Sequence, residues 1–279
     1  MSSQTIRSRL TRLERVRATR RASRPDRQAL DRLRADPARV LSRPDPWQAA
    51  LLRALPPRTL AVCSRQSGKS TTAAGCCLTT ALLEPGSLTL ILSPTLRQSQ
   101  ELFRKVLTLY RAHGRPVPAA AVSKTALELV TGSRVVALPG DPDGIVGFSA
   151  PRLVVIDEAA RVTDELYQSV RPMLATSGGK LLLCSTPFGR RGFLWREWSS
   201  ETGNSGTEPA ANWHRVEVPA TACPRIGAAF LEQERRALGE RWFRQEYLCD
   251  FAADAGAVFA FDDVLAAGVD SAPDWVQAA

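Results

Sequence analysis

Between residues 59 and 184, short runs of continuous apolar residues alternate with amphipathic stretches. Residues 59–63, 88–92, 153–156 and 180–184 are rich in Leu, Val and Ile with little polar alternation, the pattern of strands buried on both faces. The stretches 69–83, 96–112 and 164–174 between them place apolar residues at helical spacing. Residues 125–130 and 134–138 read as a hairpin joined at Gly132-Ser133. Buried strands alternating with helices predict an α/β fold, a mainly parallel sheet with helices on both faces. Ahead of the first run, 47–54 reads as a short helix stopped by Pro56-Pro57. Behind the last, 201–211 is rich in Gly, Ser and Thr and reads as a loop, 213–218 as one further strand, and 228–247 as helix broken at Gly239. Ile6, Leu10 and Leu13 fall at helical spacing near the N-terminus. Trp195, Trp198, Trp213 and Trp242 are expected in the core of a small helical subdomain.

Charge redraws the N-terminal boundary. Residues 1–43 hold thirteen arginines and four acids and so carry the whole net charge of +9, while the remaining 24 basic and 24 acidic residues cancel. A basic arm suits nucleic acid or another polyanion. It suits equally a solvated helix in a chain that prefers Arg to Lys throughout. No aromatic residue lies in the arm to stack on bases, which counts against single-strand recognition there. The six cysteines form no C-x-x-C pair and there are two histidines. Zinc and a disulfide framework are therefore not expected, and small buried thiols in a reducing cytoplasm are. His113 and His214 have no evident acid–base partner and are expected to be structural. No apolar run reaches the ~18 residues of a membrane span, and the N-terminus lacks the apolar stretch of a secretory signal.

Candidate chemistry begins at Ser64-Arg65-Gln66-Ser67-Gly68-Lys69-Ser70-Thr71, which follows a predicted strand and opens a predicted helix. That is the context of a phosphate-binding P-loop: N–H groups at the helix start cradle phosphate oxygens with the helix dipole behind them. Lys69 would bridge the β- and γ-phosphates of ATP and Ser70 would ligate Mg²⁺. Cys63 stands where the usual pattern has its first glycine, so the bare pattern fails. The second half is the strand 153–156 ending in Asp157-Glu158. An aspartate there can hold Mg²⁺, and the adjacent glutamate can polarise an attacking water as catalytic base. Asp157-Glu158 as a simple helix cap is the competing interpretation. Arg65, inside the loop, is the candidate for charge stabilisation at the γ-phosphate. Ser185 and Thr186, at the end of the neighbouring strand, are placed to sense that phosphate.

These elements in this order resemble the large subunit of the terminases, the DNA-packaging motors of tailed phages. The resemblance covers roughly residues 44–262. Pro46-Trp47-Gln48 looks like its adenine-recognition segment, with Gln48 reading the base. Residues 64–70 resemble its deviant P-loop, which commonly lacks the first glycine and carries the arginine. Ser93-Pro94-Thr95 with Gln98-Ser99, the strand into Asp157-Glu158 (Walker B), Cys184-Ser185-Thr186-Pro187-Phe188-Gly189 (the coupling motif) and residues 244–251 follow in family order. The resemblance implies an ASCE-type P-loop ATPase core at 45–200, a small helical lid at 201–255, and a basic arm at 1–44. It implies ATP and Mg²⁺ as cofactors, and hydrolysis driving double-stranded DNA into a procapsid. Partners would be the small terminase subunit, the portal and further copies in a ring, in the host cytoplasm, with no membrane. Two features depart from the family. Residues 256–279 read as a linker stub, with no ribonuclease H-like nuclease expected. Val146 occupies the position of an arginine that relatives direct at a neighbouring subunit, and Arg152 and Arg171 are the candidate substitutes. A superfamily 2 helicase-like ATPase, and an inactive prophage remnant that binds nucleotide or DNA without turnover, are the alternatives. The first would need a second RecA-like lobe.

Overall fold

The computed structural model describes residues 24–200 and 212–252. The expected helix at Ile6, Leu10 and Leu13, the loop at 201–211 and the stub at 256–279 lie outside the described residues. In chain order the strands are β1 (Arg58–Cys63), β2 (Leu88–Ser93), β3 (Ala119–Val122), β4 (Ala126–Leu129), β5 (Arg134–Pro139), β6 (Leu153–Asp157), β7 (Lys180–Ser185) and β8 (His214–Val218). Among the described residues these eight form one sheet in the order β3-β4-β5-β2-β6-β7-β1-β8. Pairing is parallel from β5 to β8, and β3 and β4 add an antiparallel extension at one edge.

The apolar strands divide their side chains between two layers, as a two-residue period requires. Ala61, Cys63, Ile91, Val155, Leu182 and Cys184 face one cluster; Leu60, Val62, Leu90, Leu92, Val154, Ile156 and their neighbours face the other. The first layer is covered by α1 (Arg27–Ala35), α2 (Pro46–Ala54), α3 (Lys69–Leu83) and α4 (Leu96–Ala112). The second is covered by α5 (Asp164–Met173) and α6 (Gly192–Ser199). Helix α3 is buried from Thr72 to Leu82. Its small residues make room for neighbours: a Cβ on Gly75 would stand 3.0 Å from both Leu52 and Val40. Thr95 and Gln98 close a capping box that starts α4 after β2.

Two boundaries differ from the sequence expectation. The arm expected over 1–44 contains α1, whose Leu30 and Leu33 are buried in the main core, so its C-terminal half is part of the packed domain. The i, i+3 spacing of two leucines is too short a signal to stand out among arginines. The lid expected to begin at 201 contains β8, which pairs with β1 in the core sheet. The helices off the sheet are α7 (Ala228–Leu238) and α8 (Glu240–Tyr247), which pack on each other around Leu231, Phe243 and Tyr247 and break at Gly239. Strand β3 has no counterpart in the hydrophobic pattern, because its Ala-rich sequence has neither alternation nor β-branched density. The four tryptophans do not gather in a lid core. Trp213, Trp195 and Trp198 join the second layer of the main core, and Trp242 is exposed. All six cysteines are buried free thiols. His113 hydrogen-bonds through its ring to Val40 O, 3.0 Å away, as a structural residue.

Because Leu33 is packed in the core, Leu33→Ala is expected to lower unfolding stability by about 2–4 kcal/mol. A shift of the urea midpoint checks this; an unchanged midpoint would return α1 to a detached arm.

Candidate active site

Parallel pairing brings the carboxyl ends of β1, β6, β7 and β8 to one edge, where ligands of open α/β sheets bind. Strand β7 lies between β1 and β6, with Val62 opposite Ser185 and Cys184 opposite Asp157. The segment carrying Ser185 and Thr186 therefore sits between the two halves expected to share one ligand.

The loop from Ser64 to Gly68 is shaped by contacts from far along the chain. Ser64 N–H donates to Val218 O (2.9 Å) and Arg65 N–H to Glu246 O (3.0 Å). Ser67 Oγ donates to Ser64 O at 2.8 Å. Ser64 and Ser67 are buried beneath the loop, while Arg65, Gln66, Gly68, Lys69, Ser70 and Thr71 line a cleft of about 580 Å³. Gly68 has φ +96°, which strains any side chain there, and a Cβ would lie 2.6 Å from Gln48 Nε2 and so displace that amide. Lys69 and Ser70, whose N–H groups open α3 ahead of its first helical bonds, line this cleft at the positive end of the helix dipole. Cys63 ends β1 as a fully buried strand residue, and burial pushes its thiol up, so it acts as a small neutral filler.

The two halves meet. Ser70 Oγ donates to Asp157 Oδ2 at 3.2 Å, and Lys69 Nζ lies 2.8 Å from Glu158 Oε1. Burial raises the Asp157 carboxyl above its ordinary value, against the opposing pull of Lys69. Burial works to lower the Lys69 ammonium, but the Glu158 and Asp157 charges outweigh it and hold it above its ordinary value. Glu158 takes φ +54°, which turns the chain at the end of β6 into the 3-10 turn Ala159–Arg161. Ser185 Oγ accepts from Ala160 N at 3.1 Å and so ties β7 to that turn. Thr186, Glu158, Lys69, Arg65, Gln98 and Arg161 line a second cleft of about 300 Å³.

Asp157 Oδ1 is buried without a hydrogen-bond partner. That orphaned oxygen beside the Ser70 hydroxyl fits a hydrated Mg²⁺. No group of three or more His, Cys, Asp or Glu gathers among the described residues. Mg²⁺ bound by one carboxylate, a hydroxyl, waters and phosphate oxygens needs no such group.

Several expected residues carry partners that sequence did not reveal. Gln48 is brought to the loop, but its amide is engaged inside the protein: Oε1 accepts from Asp45 N–H (2.8 Å) and Nε2 donates to Thr72 Oγ1 (2.9 Å). It ties α2 to the loop and also lines the cleft. Arg65 is paired with Glu246, a buried carboxylate on α8 that also supplies the backbone acceptor above. Arg225 donates to Ser67 O (3.1 Å) and pairs with Asp45 (2.6 Å). Glu246 and Arg225 lie more than 150 residues from the loop, and no local pattern marks them. Val146 is 79% exposed. Of its candidate substitutes, Arg152 pairs with Glu84 and Arg171 with Glu197.

The raised Asp157 carboxyl has a stability consequence. Its protonated form is favoured by folding, so the ionised group costs stability as pH rises from its unfolded value through its folded one. Asp157→Asn is expected to fold at least as stably as wild type at pH 7. The difference should shrink as pH falls toward 3 in urea unfolding series. A variant less stable at pH 7 and equal at pH 3 would reverse the sign.

Residues 60–265 match the family model described as terminase large subunit, T4likevirus-type, N-terminal. The large terminase subunit of Escherichia phage T5 is 30% identical over 182 residues, covering 64% of this chain and 40% of that protein. That of Thermus phage G20c is 26% identical over 263 residues, covering 80% of this chain and 52% of that protein. This chain thus spans about half the length of the curated relatives it matches. The large terminase ATPase domain of Thermus phage P74-26 superposes with a TM-score of 0.65 at 23% identity, covering 77% of this chain and 96% of that one. Its fold is thus shared with this chain. With the family model matched over residues 60–265, most of the chain, the chain belongs to the terminase large-subunit family, in its N-terminal region.

Proposed function

We propose that this chain hydrolyses ATP and couples the reaction to translocation of double-stranded DNA into a viral procapsid. The observation that carries the reading is the meeting of Lys69 and Ser70 with Asp157 and Glu158 beside a buried, unpartnered carboxylate oxygen. A nucleotide whose phosphates lie on the α3 N-terminus displaces Glu158 from Lys69, freeing the carboxylate to orient and deprotonate a water. Ser70 and Asp157 would hold Mg²⁺, which when bound neutralises charge on the phosphates. Arg65 stands at the γ-phosphate side, held by Glu246. Loss of that phosphate is felt at Thr186 and passed through Ser185 to the turn after Glu158. Large terminases of a thermophilic bacteriophage, solved in complex with ADP and with ATP-gamma-S, share the fold and support nucleotide as the ligand. Family membership supports duplex DNA, a small terminase subunit, a portal and a ring of copies as partners, in the host cytoplasm. No helix among the described residues is long and apolar enough to cross a membrane.

Glu158→Gln is expected to reduce ATP turnover about 10²–10⁴-fold while retaining nucleotide binding. Steady-state phosphate release with and without duplex DNA checks this. Wild type turning over no faster than the variant under either condition would leave a nucleotide- or DNA-binding protein without catalysis.

For the arm, the packing of α1 moves the informative truncation to residue 23. Residues 1–23 hold seven arginines and one acid. Their removal is expected to weaken duplex DNA binding and flatten its salt dependence, the slope falling by about 0.9 for each phosphate that the arm neutralises. Equal slopes for both proteins would take the arm out of DNA binding.

A further inference from the structure

We propose that Arg161 contacts the terminal phosphate and, by stacking on Phe188, joins that contact to the coupling segment. The inference rests on the ATPase reading above and names a residue which that reading does not use. Three cationic side chains line the 300 Å³ cleft: Arg65, Lys69 and Arg161. Two are paired with carboxylates in this structure, Arg65 with Glu246 and Lys69 with Glu158. Arg161 forms no ion pair among the described residues, and its guanidinium carbon lies 3.9 Å from the centroid of the Phe188 ring. Its position follows from the backbone. Glu158 in the left-handed region starts a 3-10 turn, and Arg161 N–H donates to Glu158 O at 2.9 Å. The turn brings Arg161 to line the same cleft as the proposed catalytic base.

A second guanidinium, Arg191, stands 4.4 Å over the same ring and also forms no ion pair among the described residues. Two like charges about one ring repel, and an anion beside Arg161 in the cleft would relieve the repulsion. The γ-phosphate is the anion the cleft is built to receive. A guanidinium suits it because its planar fork can donate to phosphate oxygens while its face remains stacked on the ring. Phe188 follows Ser185-Thr186-Pro187 directly, so phosphate occupancy fixes the aromatic residue of the coupling segment through one side chain.

The test is discrimination between triphosphate and diphosphate, which reads binding independently of turnover. Calorimetry with Mg²⁺ and either ATP-gamma-S or ADP is run on the full chain, with urea midpoints to verify folding. Arg161 is exposed, so its replacement should leave the urea midpoint essentially that of wild type. Wild type is expected to prefer ATP-gamma-S. Arg161→Ala is expected to narrow the preference about tenfold with ADP affinity unchanged, and Arg161→Lys to retain part of it. Phe188→Leu should narrow it a few-fold by releasing the guanidinium. An unchanged ratio in Arg161→Ala, or equal loss of both affinities, overturns the proposal while leaving the ATPase reading standing. A wild type that binds neither nucleotide overturns both.

Discussion

The buried carboxylate of Asp157 is the constraint around which the carboxyl edge of the sheet is organised. A carboxylate removed from water at the end of a central strand is unfavourable unless charge and hydrogen bonds compensate it. Lys69 and the Ser70 hydroxyl supply part of that compensation, and both come from the start of α3, so the helix must begin where it does. One oxygen remains without a partner. The site is thus left short of complete compensation in a way that a cation would complete, a common trade of stability for binding.

Holding Lys69 and Ser70 in place requires a loop whose shape its own sequence does not fix. With Cys63 in place of a glycine, the loop takes its path from Val218 and Glu246, which accept its first two N–H groups, and from Gln48 and Arg225, which close over Gly68 and Ser67. These anchors come from β8, α8, α2 and the segment after β8. Helix α8 is therefore fastened directly to the Ser64–Gly68 loop, and a movement of α8 would be felt at Arg65 without any intermediary. On the other side of the site, Ser185 is bonded to the backbone of the turn that follows Glu158, and Phe188 stacks under Arg161. Both connections are short because β7 separates β1 from β6 in the sheet.

Much of this was readable in the order of residues. Continuous apolar runs such as 153–156 fit strands covered on both faces, and their alternation with helices implies a parallel sheet with its ligand edge at the carboxyl ends. Gly68-Lys69-Ser70 opening a helix and Asp157-Glu158 closing a strand are local patterns, because strand-to-helix turns are made by adjacent residues. Sequence also placed the hairpin at Gly132-Ser133 and the break at Gly239, where the backbone chemistry of one or two residues decides. Tertiary structure decided what no window of sequence contains: that β7 stands between the two halves, that β8 belongs to the core sheet, and that Leu30 and Leu33 bury part of a stretch that reads as a charged arm. It also decided the partners of each charge. Arg65 finds Glu246 across 181 positions and Gln48 turns inward to Thr72, while Arg161 is left without a carboxylate among the described residues. Pairing of this kind depends on which side chains share a low-dielectric cleft after the chain has folded, and spacing along the chain carries no record of it.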